Sequence, residues 1–388
     1  MAKILLIECC NFQDFPTGGQ LTFAKHMLSS FKDDLILIGL ARNKHEVGQW
    51  TTVTINKINY KYFGYLYLDR NSRKPLIPLR LRNYFALMKH KHKFFNVNTK
   101  NILVQSPDTF LGLYGNDSLN ICYRFAGTEN PLSISRYRIG RSLSFLFDRM
   151  FLPKLKHAKL ILAAADNKSI SNLIKRSKGY LSHSSVTQFP TRIDTDIFFK
   201  KSKEYCREQI HYPINQLLII TTGRLGWFKG WKFMIDSFLL FKSHFPASKL
   251  FFIGNGEDFQ KITDYISLLN CNNDIELLGY QSQENISDFL NAADLFIMGS
   301  YKEGWSTSLM EAIACGVPAC VTNFSSAKEI IAEGINGFVV EGHDEQLFSQ
   351  TMIKALSINN SHLPRQIDVE KYSVSLLKQD LNNKWELV

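Results

Sequence analysis

A run of short apolar segments, each continuous rather than alternating, is the feature that most constrains what this chain can fold into. Between residues 217 and 321 they read Leu217-Leu218-Ile219-Ile220-Thr221, Leu250-Phe251-Phe252-Ile253, Ile275-Glu276-Leu277-Leu278, Leu295-Phe296-Ile297-Met298 and Ala319-Cys320-Val321. Stretches of helical period separate them: Trp231 to His244, Glu257 to Asn270, Glu284 to Ala292 and Thr307 to Ala314. A strand that is apolar on both faces must be covered on both, so the pattern predicts a parallel sheet flanked by helices, a doubly wound α/β domain. The first half repeats the theme less cleanly, with strands expected at 4–7, 35–38, 102–104, 120–123 and 160–162 and a first helix over Gln20 to Phe31. At 388 residues the chain exceeds one ordinary core. Pro190 breaks the element before it, which puts the join near Phe189-Pro190-Thr191-Arg192 and divides the chain into domains 1–190 and 191–365, expected to face each other across a cleft. Residues 366–388 hold a last helical stretch, Val374 to Trp385, able to lie against either domain, including packing back on the first.

The net charge of +11 conceals an asymmetry. Residues 1–195 carry 29 Lys/Arg against 12 Asp/Glu, or +17, whereas residues 196–388 carry 17 against 23, or −6. The basic excess peaks between Lys57 and Lys93, where ten Lys/Arg meet a single acid, Asp69, among Tyr60, Tyr62, Phe63, Tyr65, Tyr67, Tyr84 and Phe85. Such a surface suits an anionic membrane or a phosphate-rich acceptor, with nucleic acid the weaker reading and not expected as a partner, unless it is simply a solvated basic face. No segment approaches the roughly 20 apolar residues that span a bilayer, and Met1-Ala2-Lys3 leads directly into a strand, so a cytoplasmic protein is expected. The seven cysteines are scattered, with no Cys-x-x-Cys pair, which argues for reduced, mostly buried thiols rather than a zinc site or disulfide framework.

Three places suit a bound diphosphate, because a helix N-terminus offers unpaired N–H groups and the positive end of a dipole. The first is Pro16-Thr17-Gly18-Gly19, between the first strand and first helix, where paired glycines either admit a ligand or make a tight turn. The second is Gly223-Arg224-Leu225-Gly226-Trp227-Phe228-Lys229-Gly230, just after a strand, where ligands bind in open α/β sheets. Arg224 and Lys229 there would set two cations beside a leaving diphosphate. The third is Glu303-Gly304-Trp305-Ser306-Thr307-Ser308-Leu309-Met310-Glu311, a loop running into a helix. Ser306 or Thr307 can cap that helix, which would leave amides near Ser308 and Leu309 for phosphate. Glu311 would then meet ribose hydroxyls while Glu303 reaches a sugar ring.

Taken together, these pieces resemble the family-four retaining glycosyltransferases. Gly-Arg-Leu-x-x-x-Lys-Gly at Gly223 to Gly230, Gly254-Asn255-Gly256 after a strand, the Glu-x7-Glu pair of Glu303 and Glu311, and Glu311-Ala312-Ile313-Ala314-Cys315-Gly316-Val317-Pro318 arrive in the family's order. Glu333-Gly334-Ile335-Asn336-Gly337-Phe338 is similar to the family's later glycine turn. The likeness covers about 190–340, and the first half matches mainly through Gly18 and Gly19. It implies the GT-B fold of two Rossmann-like domains, the first taking the acceptor and the second the donor, a nucleotide-diphosphate sugar. It also implies retention of anomeric configuration without a metal or cofactor, by a front-face route in which the leaving phosphate helps remove the acceptor proton. On that likeness Arg224 and Lys229 hold the diphosphate, Glu311 the ribose and Glu303 the transferred sugar, with the backbone near Tyr280 touching the base. The acceptor would be a glycan or lipid-linked glycan of cell-surface polysaccharide or lipopolysaccharide synthesis, met at the inner face of the membrane. One departure stands out. Many members carry a histidine at the end of a first-domain strand, where this chain has Tyr123-Arg124-Phe125-Ala126-Gly127-Thr128-Glu129, leaving Arg124 and Glu129 as candidates for that place.

Competing signals are weaker. Asp194-Thr195-Asp196 spells a manganese-chelating Asp-x-Asp, but it sits at the interdomain join, in a segment that resembles the GT-B linker. Gly254-Asn255-Gly256 lacks the third glycine of a dinucleotide fingerprint and is followed by Glu257-Asp258, where a pyrophosphate would lie. Cys9-Cys10 and His183 read as packing or loop residues. Two other classes share such a fold: a sugar-nucleotide epimerase, which needs acid/base carboxylates not evident in the first domain, and a non-catalytic nucleotide-sugar or glycan binder.

Overall fold

The computed structural model describes residues 3–16, 18–69, 77–95, 97, 99–133, 142–358 and 369–388. Thr17 of the first glycine loop, Arg70, Arg73 and Lys74 of the basic stretch, and the expected boundary at 365 lie outside them. The chain divides into two compact units, Met1–Arg192 with Val374–Val388, and Ile193–Ser373.

The first unit is built on an eight-stranded sheet. Its strands are β1 (Ile4–Ile7), β2 (Leu35–Ala41), β3 (Gln49–Ile55), β4 (Ile58–Tyr67), β5 (Asn101–Val104), β6 (Asn120–Phe125), β7 (Leu160–Ala163) and β8 (Val186–Gln188). They lie in the order β3-β4-β2-β1-β5-β6-β7-β8, parallel except for β3 against β4. Alternate residues of β1 feed two cores. Leu5 and Ile7 join Leu87 and Phe94 of α2 (Leu79–Phe94), Phe110 of α3 (Pro107–Leu113) and Phe151 of α4 (Ser144–Phe151). Ile4 and Leu6 join Phe23 and Met27 of α1 (Gly19–Phe31) with Leu377, Leu381 and Trp385. The last helix, Leu377–Lys384, therefore belongs to this unit.

The hairpin of β3 and β4 corrects the reading of the basic, tyrosine-rich stretch as one continuous surface. Asn56 and Lys57 both adopt positive φ, 48° and 64°, in the two-residue turn that joins the strands. Tyr60, Tyr62, Phe63 and Tyr65 are 0–2% exposed and line the cores on both faces. Among the described residues of the stretch, the large apolar side chains left in solvent are Ile77 and, on α2, Leu79, Leu81, Phe85 and Met88.

The second unit carries a six-stranded parallel sheet, ordered β11-β10-β9-β12-β13-β14. Its strands are β9 (Leu217–Thr222), β10 (Ser248–Ile253), β11 (Ile275–Gly279), β12 (Leu295–Met298), β13 (Ala319–Thr322) and β14 (Gly337–Val340). On one face, Ile219, Leu250 and Phe252 pack with Phe233, Ile235 and Phe238 of α5 (Trp231–His244), Ile262 and Ile266 of α6 (Phe259–Leu268) and Phe348 and Met352 of α9 (Glu345–Leu356). Leu290 of α7 (Gln283–Ala292) and Leu309 of α8 (Thr307–Ala314) are also fully buried. β10 and β11 extend one way from β9 and β12 to β14 the other, so the chain reverses direction across the sheet between β9 and β12.

Trp385 is 2% exposed, and its indole N–H donates to Asn120 Oδ1 at 2.9 Å. Trp385→Ala removes both the packing and the bond, and should cost the first unit about 3–5 kcal/mol. A denaturant melt followed by far-UV circular dichroism checks this: the wild-type and variant curves should separate.

Candidate functional site

Loops that leave a parallel sheet at a point of reversal splay apart and open a crevice at the strands' C-terminal ends. In the second unit those loops follow β9 and β12, and they carry two of the three segments singled out above. Thr222 ends β9, and Gly223 leaves it with φ 131°, its Cα hydrogen side facing Ser308 Oγ and Lys229 Nζ, which a Cβ would meet at 3.5 and 3.7 Å. Gly230 closes the loop in the left-handed region, φ 69°, with the Gly299 carbonyl so near that a Cβ would stand 1.9 Å from it. The loops are also stitched by Tyr301 N–H donating to the Phe228 carbonyl at 2.8 Å.

This stitching brings Lys229 and Glu303 together. Lys229 Nζ bonds Glu303 Oε1, whose carboxylate also accepts from Ser300 Oγ at 3.0 Å, and both side chains are more than four-fifths buried. Arg224, over half exposed, pairs instead with Glu257 Oε2 at 2.9 Å. Each cation thus rests on a carboxylate. Thr221, Thr222, Arg224, Lys229, Met298 and Ser300 line a pocket here.

Glu311 lies one turn into α8. Burial of its carboxyl pushes it up to about 8, partly offset by the Lys229 charge. Ser306 caps α8, its Oγ accepting from Leu309 N–H at 3.3 Å. This corrects the expectation that the Leu309 amide is available for phosphate: it is taken, and the Leu309 side chain is fully buried, which leaves the first-turn amides of Thr307 and Ser308 without an intrahelical acceptor. Trp305, 5% exposed, packs on Tyr372 at 5.6 Å and belongs to the core beneath the loop, whereas Gly304 is partly exposed.

Gly254, Asn255 and Gly256 brace the site from beside it. A Cβ on Gly254 would lie 1.9 Å from the Gly223 carbonyl, and one on Gly256 2.2 Å from that of Leu225. Asn255 accepts from Leu225 N–H through its carbonyl at 3.1 Å. Tyr280, after β11, is 68% exposed. Asp194 Oδ1 accepts from Asp196 N–H at 3.1 Å within a tight turn, and no group of three metal-ligating side chains exists among the described residues.

In the first unit, Gly18 precedes α1 with φ 142° and no side-chain cap, and a Cβ on Gly18 or Gly19 would meet nothing within 4 Å. These glycines leave open space at an uncapped helix start. The sheet of this unit reverses between β1 and β5, and a buried polar cluster gathers there that sequence reasoning missed. Glu8, 2% exposed, follows β1, and burial pushes it up to about 8 against a bond to Gln105 and the Arg124 charge. Arg124, 1% exposed, donates to Gln105 Oε1 at 2.8 Å and to Thr191 Oγ1 at 3.4 Å and lies 4.0 Å over the Phe23 ring. Arg124 is therefore an internal brace and not a replacement for the family's histidine; Glu129 is exposed in the loop beyond β6. The signal for the cluster was a lone acid, Glu8, ending an otherwise apolar strand. His26, 5% exposed on α1 and held neutral by burial beside Arg124 and Arg192, carries no such signal.

Residues 202–371 match the family model "glycosyl transferases group 1". The poly(glycerol-phosphate) alpha-glucosyltransferase of Bacillus subtilis (strain 168) is 28% identical over 39% of this chain. The chain spans 23% of that relative's length and 44% and 40% of the next two curated ones. Over 99% of its residues the chain superposes on sucrose-phosphate synthase from Thermosynechococcus elongatus, covering 98% of it, with TM-score 0.77 and 13% identity. The Anabaena protein HepE in complex with UDP-glucose gives TM-score 0.71 at 16% identity, with 99% of each chain covered. The fold is GT-B.

Glu311 supplies a pH test. Its folded-state carboxyl holds a proton to about pH 8, while an unfolded glutamate loses it near 4.5, so across that window the unfolded state binds fewer protons and stability falls as pH rises. Glu311→Gln removes this dependence. Its melting temperature relative to wild type should climb between pH 5 and 8, as measured by calorimetry in ligand-free buffer; a constant difference would mean that Glu311 is ionised throughout.

Proposed function

We propose that this chain, which over residues 202–371 belongs to the glycosyl transferases group 1 family, is a retaining, metal-independent hexosyltransferase that uses a nucleotide-diphosphate sugar. The observation that carries the reading is the pairing of Lys229 with Glu303 across the reversal point of the second unit's sheet, with Arg224 on the same loop. Two cations and the α8 amides of Thr307 and Ser308 converge where a diphosphate would sit, and charge developing on a leaving phosphate is stabilised there without reorganisation. Glu303, released from Lys229, accepts hydrogen bonds from the transferred sugar. Glu311 takes the ribose hydroxyls, and the backbone near Tyr280 the base. Retention by a front-face route follows from the family resemblance, with the leaving phosphate receiving the acceptor proton.

The acceptor is a hydroxyl of a glycan or lipid-linked glycan, in the synthesis of cell-surface polysaccharide or lipopolysaccharide, and its recognition falls to the first unit. Names among the relatives and neighbours support this class: a poly(glycerol-phosphate) alpha-glucosyltransferase and a lipopolysaccharide outer core galactosyltransferase. The missing histidine after β6 favours a second reading, a non-catalytic nucleotide-sugar binder. Release of UDP and glucose from UDP-glucose without acceptor separates the two. Lys229→Ala and Arg224→Ala should each slow turnover roughly 10²–10³-fold, with EDTA leaving the wild-type rate unchanged. Near wild-type turnover in either folded variant, or loss of activity to EDTA with recovery on adding manganese, would refute the assignment.

No helix among the described residues is long and apolar enough to cross a membrane. Reversible attachment to the inner face of an anionic membrane falls to α2, which has five Lys/Arg and no acid. Leu81, Phe85 and Met88, spaced along one side of it, are 50%, 64% and 39% exposed. A basic residue near such a surface contributes about 1 kcal/mol, and the apolar stripe adds burial. Sedimentation with vesicles of anionic lipid should weaken with salt, with Lys89→Glu plus Lys91→Glu, and with Phe85→Ser; indifference to all three leaves a solvated basic face.

A further inference from the structure

At the rim of the second unit's crevice stand two aromatic rings that the donor reading does not use. Trp227 is two residues before Lys229 and Tyr301 two before Glu303, so the backbone bond from Tyr301 N–H to the Phe228 carbonyl sets the rings side by side just outside the buried ion pair. Their centroids are 6.2 Å apart and their planes 34° from parallel. Trp227 is 46% and Tyr301 48% exposed, a large apolar area to leave in water at a polar site. Tyr301 is also held in place. The His343 ring stacks on it at 3.9 Å and 13°, with His343 Nε2 3.1 Å from the Gly299 carbonyl and its ring edge-on to Phe233 at 4.9 Å. An exposed ring with its rotamer already fixed binds without further loss of side-chain freedom.

We propose that Trp227 and Tyr301 form a shelf that stacks against a pyranose ring. A pyranose presents a face of C–H groups, weakly positive, to the negative face of an aromatic ring, while its equatorial hydroxyls point outward to polar partners. Beside this shelf the polar partner is Glu303. The proposal rests on the donor reading above for the identity of its neighbours, and the pyranose has two possible sources: the sugar carried by the donor, or a sugar of the acceptor. Geometry on one side of the crevice is common to both.

The test uses Trp227→Ala, Tyr301→Ala and the conservative Trp227→Phe, each first shown to melt as wild type does. Calorimetric titration compares UDP-glucose with UDP, and saturation-transfer NMR follows maltotriose and cellotriose with and without UDP. A loss of roughly tenfold in UDP-glucose affinity in both alanine variants, with UDP affinity kept and Trp227→Phe largely restored, identifies the donor's sugar on the shelf. Unchanged affinity for both nucleotides, with the trisaccharide signal abolished, identifies the acceptor's. Alanine variants that retain every sugar-dependent signal overturn the proposal even if UDP binds. A wild-type protein that binds neither nucleotide rules out a uridine diphosphate donor; the trisaccharide arm, run without nucleotide, then decides the shelf alone, and absence of a Trp227-dependent signal there overturns it.

Discussion

The close approach of Gly230 to the Gly299 carbonyl is the constraint on which the rest of the second unit's site depends. Only hydrogen fits between them, and φ 69° at Gly230 lets the chain turn into α5 at that point. Any side chain would push the β9 and β12 loops apart. With the loops in register, Phe228 and Tyr301 share a backbone bond, Lys229 meets Glu303, and the two rim aromatics fall side by side. Gly254 and Gly256 do the same on the other flank, seating the β10 loop on Gly223 and Leu225. The glycines of this motif thus act mainly by letting backbones touch, and the charged residues are aimed as a consequence.

Electrostatics in the two units follow one physical rule with different outcomes. A half-buried cation left alone would be costly, so Lys229 rests on Glu303 and Arg224 on Glu257. On the proposed donor reading, partners of this kind would be exchangeable, because an incoming polyanion would neutralise the cations and set the carboxylates free for hydroxyl groups. The cluster of Glu8, Gln105 and Arg124 is of another kind. Its members are at most 2% exposed; burial raises the Glu8 carboxyl to about 8 and favours its protonated form, while the Arg124 guanidinium, lowered by burial to about 9, keeps its charge at neutral pH. It ties the ends of β1, β5 and β6 together beneath the uncapped start of α1.

Where sequence reasoning fell short, the cause was competition between two readings of one pattern. Tyr60, Tyr62, Phe63 and Tyr65 alternate with Lys61 and Gly64, which reads equally as a basic aromatic surface or a strand with one wet edge. The Asn56-Lys57 turn decides it, since two successive residues at positive φ close a tight hairpin and carry the aromatics inward. At the start of α8, Ser306 and Thr307 were equal candidates for the cap; the cap fell to Ser306, and its choice of the Leu309 amide moved the available donors one residue back. Arg124 drew attention as a charged residue where the family has histidine, but a side chain inside a parallel strand of a doubly covered sheet points into packing.

What the sequence determined by itself was the alternation of continuous apolar strands with amphipathic helices, and with it two doubly wound units, and also the order and spacing of the loop motifs. Both are local or periodic properties, and a period survives without knowledge of its neighbours. What only the tertiary structure decided was which loops meet. Lys229 and Glu303 are 74 residues apart and become partners because the sheet reverses between β9 and β12. Tyr301 and His343 stack because β12 and β14 deliver their loops to the same rim. Strand order is set by the packing of whole elements against one another, so no stretch of sequence short enough to be read as a motif contains it.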